Sequence, residues 1–120
     1  MMKVSMVPTK HVTDIWDAVK PHLKKAADYT YGRYEVDDIL DCITDYDHTL
    51  WIAFDEKGIK GAVVTMMAQY PRKKYLDMVF TGGVELEKWK KPMLELLQKW
   101  AFDTKCDGIE SVGRPGWAKI

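Results

Sequence analysis

Cysteine is scarce in this sequence, which has only two among 120 residues. Neither Cys42 nor Cys106 belongs to a Cys-x-x-Cys pair or to a Cys/His spacing typical of zinc sites, so no metal is expected. The sequence also lacks an apolar run of transmembrane length and an N-terminal stretch of signal-peptide type. We therefore exclude a disulfide scaffold, and we expect reduced thiols in a cytoplasmic protein.

The chain has no excess of charge of either sign, because 18 Lys and Arg residues balance 18 Asp and Glu residues. Nothing global attracts such a chain to nucleic acid or to an anionic membrane, and neither is expected as a partner. Locally the charge is uneven, with six acids between Glu35 and Asp47 and basic clusters at Arg72–Lys74 and Lys88–Lys91. We interpret these runs as solvated faces and turns, with a recognition surface as the alternative.

Strong motifs of catalysis are missing as well. There is no Gly-x-x-x-x-Gly-Lys phosphate loop, no dinucleotide fingerprint and no Ser-His-Asp arrangement. His11, His22 and His48 lie on or beside predicted elements, and we interpret them as structural or solvent-facing. The Gly82–Gly83 pair is more typical of a bulge or turn than of a ligand cradle.

Hydrophobic periodicity predicts the elements of the first half of the chain. Met2–Val7 alternates loosely, as in a short strand. Apolar residues then recur at helical spacing from Val12 to Ala27, and Pro21 predicts a kink or a division into two short helices. A second helix is predicted around Val36–Ile43, with acids in its first turn.

The second half predicts strands and one long helix. The strands are Thr49–Phe54, Ile59–Tyr70 and Tyr75–Thr81, and their short connections predict an antiparallel meander. A helix over about Glu87–Thr104 follows, with the stripe Trp89, Met93, Leu96, Leu97 and Trp100, and then a strand at Gly108–Val112 and the start of another helix at Ala118–Ile120. A crossover helix between strands allows a parallel pair, so we predict one domain over residues 1–120, an α/β (α+β) fold with a mixed, mostly antiparallel sheet flanked by helices.

This order of elements resembles the GNAT N-acetyltransferase superfamily. Leu50–Val64 is similar to the family's second and third strands, Leu94–Asp103 to its central helix, and Cys106–Val112 to the strand after it. The ending Gly113–Lys119 resembles a Gly-Arg-x-Gly-Trp turn of small GNAT-like proteins of tailed bacteriophages. The resemblance implies acetyl-CoA as the cofactor, an acceptor amine or a protein as partner, and the host cytoplasm or the virion as location.

Two departures from the GNAT pattern stand out. The family's loop into the central helix is Gln/Arg-x-x-Gly-x-Gly/Ala, whose backbone N–H groups bind the pyrophosphate of acetyl-CoA. In this sequence Trp89, Lys91 and Met93 stand roughly where glycines are expected, so the loop is degenerate. The family also has a further helix and a strand pair, for which Ile120 leaves no room. These elements are absent, supplied by a partner, or beyond the given sequence, and homo-oligomer formation stays open.

The resemblance implies a set of site residues. The acceptor amine must lose a proton, and the oxyanion needs a donor. Candidate bases are Asp77 and Glu110, with Tyr75 as a candidate general acid, although each is also explained as an ordinary strand residue. The candidate cofactor-binding residues are Thr81, Gly82, Gly83, Lys88, Lys90 and Lys91, where the alternative for the lysines is a solvated helix start.

The final turn supplies two further candidates. Arg114 either pairs with an acid such as Asp77 or Glu110, or it binds an anion or a partner's carboxylate. Trp117 is expected to fold back over the core as an anchor. Two functions remain open from the sequence: an acyl-CoA-dependent N-acetyltransferase or acyl-CoA binder, and a non-catalytic phage protein that uses the fold as a scaffold in the virion or its assembly.

Overall fold

One five-stranded sheet with helices on both faces organises the chain, in a computed structural model that describes residues 2–28, 30–45 and 47–111. The predicted order of elements is confirmed. The elements are β1 (Lys3–Val7), α1 (Thr9–Asp28), α2 (Val36–Asp45), β2 (Thr49–Asp55), β3 (Gly58–Gln69), β4 (Lys74–Gly83), α3 (Leu86–Asp103) and β5 (Gly108–Ser111). The predicted helix start at Ala118–Ile120 lies outside the described residues.

The strands are ordered β1-β2-β3-β4-β5 across the sheet. Neighbours from β1 to β4 are antiparallel. Short turns connect β2, β3 and β4, whereas the chain reaches β2 from β1 through α1 and α2. The chain then crosses over through α3, and β5 pairs with β4 in parallel, from Tyr75 opposite Gly108 to Met78 opposite Ser111. The predicted mixed sheet is therefore confirmed, and its one parallel pair in the described part is β4–β5.

Helix α1 runs without interruption through Pro21. The predicted division into two short helices is wrong. A proline inside a helix removes one backbone hydrogen bond and crowds the preceding turn. On either side of Pro21, however, Val19 and Leu23 are completely buried, and this packing against the sheet outweighs the local cost.

The core is divided by the sheet into two clusters. One lies under α1 and α2 and includes Val12, Leu23, Ile39, Leu50, Val64 and Phe80. The other lies under α3 and includes Trp51, Val63, Leu76, Trp89, Met93 and Leu97. Of the stripe predicted for α3, Trp89, Met93 and Leu97 are buried, whereas Leu96 and Trp100 are half-buried. Within the described ranges, none of the helices combines the length and the apolar composition needed to cross a bilayer.

Candidate functional site

Strand β4 carries a bulge at Val79. Phe80 pairs with Val64 of β3, but the next pair joins Met78 to Thr65, so Val79 is an extra residue without a partner in the ladder. A bulge bends the strand and increases its twist. Consistent with this, Leu76 and Met78 belong to the core under α3, whereas Phe80 belongs to the core under α1 and α2. The bulge therefore separates β4 into two halves with different neighbours.

The first half of β4 brings two acids together. Asp77 and Glu110 are register partners on the parallel pair β4–β5. The hydroxyl of Tyr70 donates a hydrogen bond to Oε1 of Glu110 at 2.8 Å. The ring of Tyr70 also contacts that of Tyr75 edge-on, with centroids 5.9 Å apart. We call Tyr70, Tyr75, Asp77 and Glu110 the carboxylate cluster.

The environment changes the proton affinity of two members of this cluster. Partial burial, and after it the negative charge of Glu110, raises the pKa of Asp77, while nearby His48 acts in the opposite direction. The hydrogen bond that Tyr70 donates to Glu110 is the main reason why the pKa of Tyr70 is raised. Asp77 therefore holds a proton more readily than an ordinary aspartate, and Tyr70 remains a donor.

The second half of β4 is closely packed. Thr81 is buried. A Cβ atom at Gly82 would overlap the carbonyl oxygen of His22 in α1, and one at Gly83 would lie 2.5 Å from the carbonyl oxygen of Lys60. Gly83 also has a φ of +145°, which other residues rarely adopt. These glycines allow α1 and β3 to approach the strand.

A connection of two residues, Val84 and Glu85, joins β4 to α3. Its backbone is held on both sides, since Val84 N–H donates to the carbonyl oxygen of Lys60 at 2.8 Å and the indole of Trp89 donates to the carbonyl oxygen of Val84 at 2.8 Å. Glu85, in the left-handed region, accepts from Lys88 Nζ at 2.6 Å. The start of α3 thus carries a carboxylate of its own, and Lys88 is paired with it.

Comparison with known proteins identifies the architecture. No family model and no curated protein matches the sequence. Among solved structures, a predicted acetyltransferase from Clostridium acetobutylicum, crystallised with acetyl-CoA, has a TM-score of 0.67 at 15% identity over 99% of this chain and 88% of its own. A GNAT family acetyltransferase from Staphylococcus aureus has a TM-score of 0.63 at 16% identity over 94% of this chain and 87% of its own.

A ribosomal-protein-alanine N-acetyltransferase from Brucella melitensis has a TM-score of 0.66 at 12% identity, over 95% of this chain and 81% of its own. The chain has the GNAT fold. Identities this low show the architecture alone. The sequence-based prediction of a GNAT-like fold is confirmed, whereas the bacteriophage resemblance stays a prediction.

The lysines predicted to hold the cofactor lie in different surroundings. Lys88 is paired with Glu85. Lys90 and Lys91 line a cleft of about 410 Å³ along α3, and the rest of its lining consists of two acids, Glu87 and Glu95, and of Leu94 and Gln98. Those last two residues also line a second cleft of about 510 Å³, which lies between α3 and β5 and extends to Ser111. The two clefts therefore adjoin, and they lead from the lysines to the end of the described β4–β5 pair.

Acetyl-CoA fits one part of this arrangement. Backbone capture of a diphosphate at the first turn of α3 does not fit, because Glu85 lies there and Gly82 and Gly83 pack against protein backbone. Side-chain capture fits better, since ammonium groups attract phosphate as point charges and Lys90 and Lys91 line an open cleft, although Glu87 and Glu95 line it as well and offset their charge. Within the described ranges no group of three or more His, Cys, Asp and Glu side chains could hold a metal ion.

Two residues of this region were not predicted from the sequence. Tyr70 was treated as the end of a strand, and its contact with Glu110 depends on the parallel register between β4 and β5. His48 was interpreted as structural or solvent-facing, yet its charge acts on Asp77. The hairpin between β3 and β4 does place Tyr70 near Tyr75, and this was the available signal. Arg114 and Trp117 lie outside the described residues, so their roles stay predictions.

Proposed function

We propose that this chain binds an acyl-CoA and transfers the acyl group to an amine, with Asp77 as the proton acceptor. The observation that carries the proposal is the position of Asp77, half-buried on β4 beside Glu110 and two residues before the bulge at Val79. The GNAT fold supports this assignment, because it is the architecture of the acetyltransferases described above.

Acyl transfer to an amine requires only proton transfers from the protein's own side chains. When bound, acetyl-CoA supplies a thioester whose carbonyl carbon forms the new C–N bond as the C–S bond breaks. The chain's own task is to remove a proton from the amine. A carboxylate with a raised pKa is a better proton acceptor than an ordinary one, and burial of Asp77 has this effect. Tyr75, on the same strand, is the proposed donor of a proton to the departing sulfur.

The bulge supplies a second function. Because Val79 has no partner in the β3 ladder, the backbone around it is not committed to the regular hydrogen bonds of the sheet. A backbone N–H aimed at a developing negative charge is the usual means of stabilising an oxyanion. We place this role at Val79, next to the strand segment that carries Asp77.

Cofactor binding is assigned to the adjoining clefts of α3. Lys90 and Lys91 would hold the diphosphate, and the cleft between α3 and β5 would receive the pantetheine arm. Thr81, Gly82 and Gly83, which were predicted to contact the cofactor, would then act from within the sheet by fixing the end of β4. On this proposal the GNAT pyrophosphate loop is degenerate, and lysine side chains replace it.

The test combines binding with turnover. Acetyl-CoA at one hundred times its dissociation constant should stabilise the protein by about 2.7 kcal/mol, which a thermal shift detects. Charge reversal of Lys90 and Lys91 should weaken this binding, with Lys24→Glu as a control on the opposite face of the sheet. Asp77→Asn should bind acetyl-CoA normally but lose acetylation of primary amines, followed by mass spectrometry.

The second candidate is a non-catalytic phage protein, either a virion component or an assembly factor. The observation that favours it is the start of α3, where Glu85 is paired with Lys88 at 2.6 Å and lies 3.9 Å from Lys60 Nζ. A carboxylate there repels a diphosphate. Absence of any thermal shift with acetyl-CoA in the wild-type protein would reject the transferase proposal and leave this one.

A further inference from the structure

Tyr70 occupies a fixed position at the turn between β3 and β4. Its N–H donates to the carbonyl oxygen of Lys73 at 2.7 Å, which closes the turn. The side chain of Gln69 donates to the carbonyl oxygen of Tyr70 at 2.8 Å. The Tyr70 ring then contacts the ring of Tyr75 edge-on, a geometry that aromatic pairs favour. The backbone and the ring of Tyr70 are therefore both held.

The hydroxyl of this held ring reaches across the sheet. It donates to Glu110, which is 40 residues further along the chain and on a strand that does not neighbour β3. A hydrogen bond to an ionised acceptor is stronger than one between neutral groups. Without it, the Glu110 side chain at the edge of the described sheet would be free to extend into solvent. The bond keeps the Glu110 carboxylate on the side of Tyr70.

We infer that Tyr70 is a positioning residue, which holds the Glu110 carboxylate beside Asp77 so that both acids face the incoming amine together. The inference rests on the proposed function, since it assigns the acceptor end of that site. It also names a chemical class for the acceptor: an amine that arrives as a cation, because two adjacent carboxylates attract an ammonium group before one of them removes its proton.

Several charged or titratable groups act on Asp77. Glu110 faces it from β5, and its charge favours the protonated form of Asp77. His48, just before β2, has the opposite effect when protonated. Tyr70, at the turn, is itself affected by the charges of Glu110 and Asp77, and Tyr75 lies two residues from Asp77 on β4. Removal of the Tyr70 hydroxyl should therefore weaken the effect of Glu110, and the pKa of Asp77 should move down.

The experiment is an NMR titration of the Asp77 carboxyl carbon in the full chain. Tyr70→Phe keeps the ring and removes the hydroxyl, and Glu110→Gln removes the charge directly. Both should lower the midpoint of Asp77. Tyr34→Phe is the matched control, because Tyr34 is similarly exposed and also makes an edge-on ring contact, with Phe80 at 5.4 Å. The control should leave the midpoint of Asp77 unchanged.

The double variant decides whether Tyr70 acts through Glu110. If it does, Tyr70→Phe should cause no further shift in the Glu110→Gln background. A wild-type midpoint in Tyr70→Phe, or an additional shift in the double variant, would overturn the inference. Since the titration needs no acetyl-CoA, the two failures are distinct: the proposed function fails if wild-type protein does not bind acetyl-CoA, and the inference fails if the midpoint does not move in protein that does.

Discussion

The two halves of β4, on either side of the bulge at Val79, differ in what fixes their residues. In the first half, Lys74–Met78, the carboxylate of Asp77 lies opposite that of Glu110 on β5, and two like charges on paired strands reduce stability. Residues 80–83 of the second half include two glycines, which allow the backbone of α1 and of β3 to approach the strand closely. On the proposed function, chemistry is the reason for Asp77 in the first half, whereas packing explains the two glycines of the second.

This contrast gives opposite expectations for substitutions. A change at Asp77 in the first half should leave the fold intact and alter proton affinity. A change in the second half should damage the fold, although the same residues were predicted from the sequence to bind the cofactor. Three experiments test this difference, and a fourth tests the connection that follows β4.

The largest effect is expected for Gly82→Ala. The new methyl group would overlap the carbonyl oxygen of His22, which is helix backbone and cannot move aside locally. The loss of unfolding free energy should exceed about 3 kcal/mol, measured by urea denaturation. The matched control is Gly108→Ala, whose Cβ would lie 3.2 Å from the movable ring of Tyr75 and should cost about 1 kcal/mol or less. Equal stabilities in the two variants would refute the packing interpretation.

Trp89→Ala tests the packing around the second half of β4 from α3, which lies on the face of the sheet opposite α1. Trp89 is 1% exposed, and its ring fills the space beside Gly61. Its removal should cost about 3–5 kcal/mol in chemical denaturation, as for other large buried aromatic residues. Trp100→Ala should cost less, because Trp100 is only half-buried. The reverse order would mean that the α3 stripe is anchored by Trp100.

Asp77→Asn tests the first half through the pH dependence of stability. A carboxyl group with a raised pKa binds its proton more tightly in the folded than in the unfolded chain, so folding weakens as the pH rises above 3.8. The asparagine variant lacks this loss. Relative to the wild type it should therefore gain stability as the pH rises above 3.8, until Asp77 is ionised in the folded wild type, in thermal melts at several pH values. A constant difference at all pH values would contradict the burial of Asp77.

The smallest effect is expected for Glu85→Gln, and its pH dependence has the opposite sign. The hydrogen bond and charge of Lys88 lower the pKa of Glu85, so its contribution is present above the ordinary value of 4.5 and is lost as the pH falls through the folded value. The pair is exposed, and salt should reduce even this small contribution. Thermal melts at low and high salt, at neutral and acid pH, measure it. A salt-independent difference would show that Glu85 acts through packing.

The hydrophobic periodicity of the sequence was sufficient to predict the order of elements, because the helices on each face of the sheet carry their own apolar stripe. It failed at Pro21, where the local preference of proline competes with the burial of Val19 and Leu23, and the packing contribution is visible only in the folded chain. The stripe of α3 was predicted, but which tryptophan lies deepest was not. That depends on Gly61, a residue of β3 whose missing side chain makes room for Trp89.

The candidate site was predicted less completely than the fold. Asp77 and Glu110 were identified as acids on strands near the expected cleft, but a parallel register cannot be read from either strand alone. The contact of Tyr70 with Glu110 was not predicted for the same reason. Gly82 and Gly83 show the reverse case: a glycine pair at a strand end is compatible with a ligand and with close packing, and only the position of α1 favours the second.

The crossover through α3 is closed by one residue pair, Lys74 at the start of β4 and Asp107 just before β5. Lys74 N–H donates to Asp107 Oδ2 at 2.8 Å, and Asp107 N–H donates to the carbonyl oxygen of Lys74 at 2.6 Å. These contacts close a loop of more than thirty residues, whose entropy is lost before the contacts are gained. The meander of β2, β3 and β4 requires only short loops and can form earlier. We therefore expect Asp77 and Glu110 to become neighbours late in folding, so that a partly folded chain would have the meander without its carboxylate cluster.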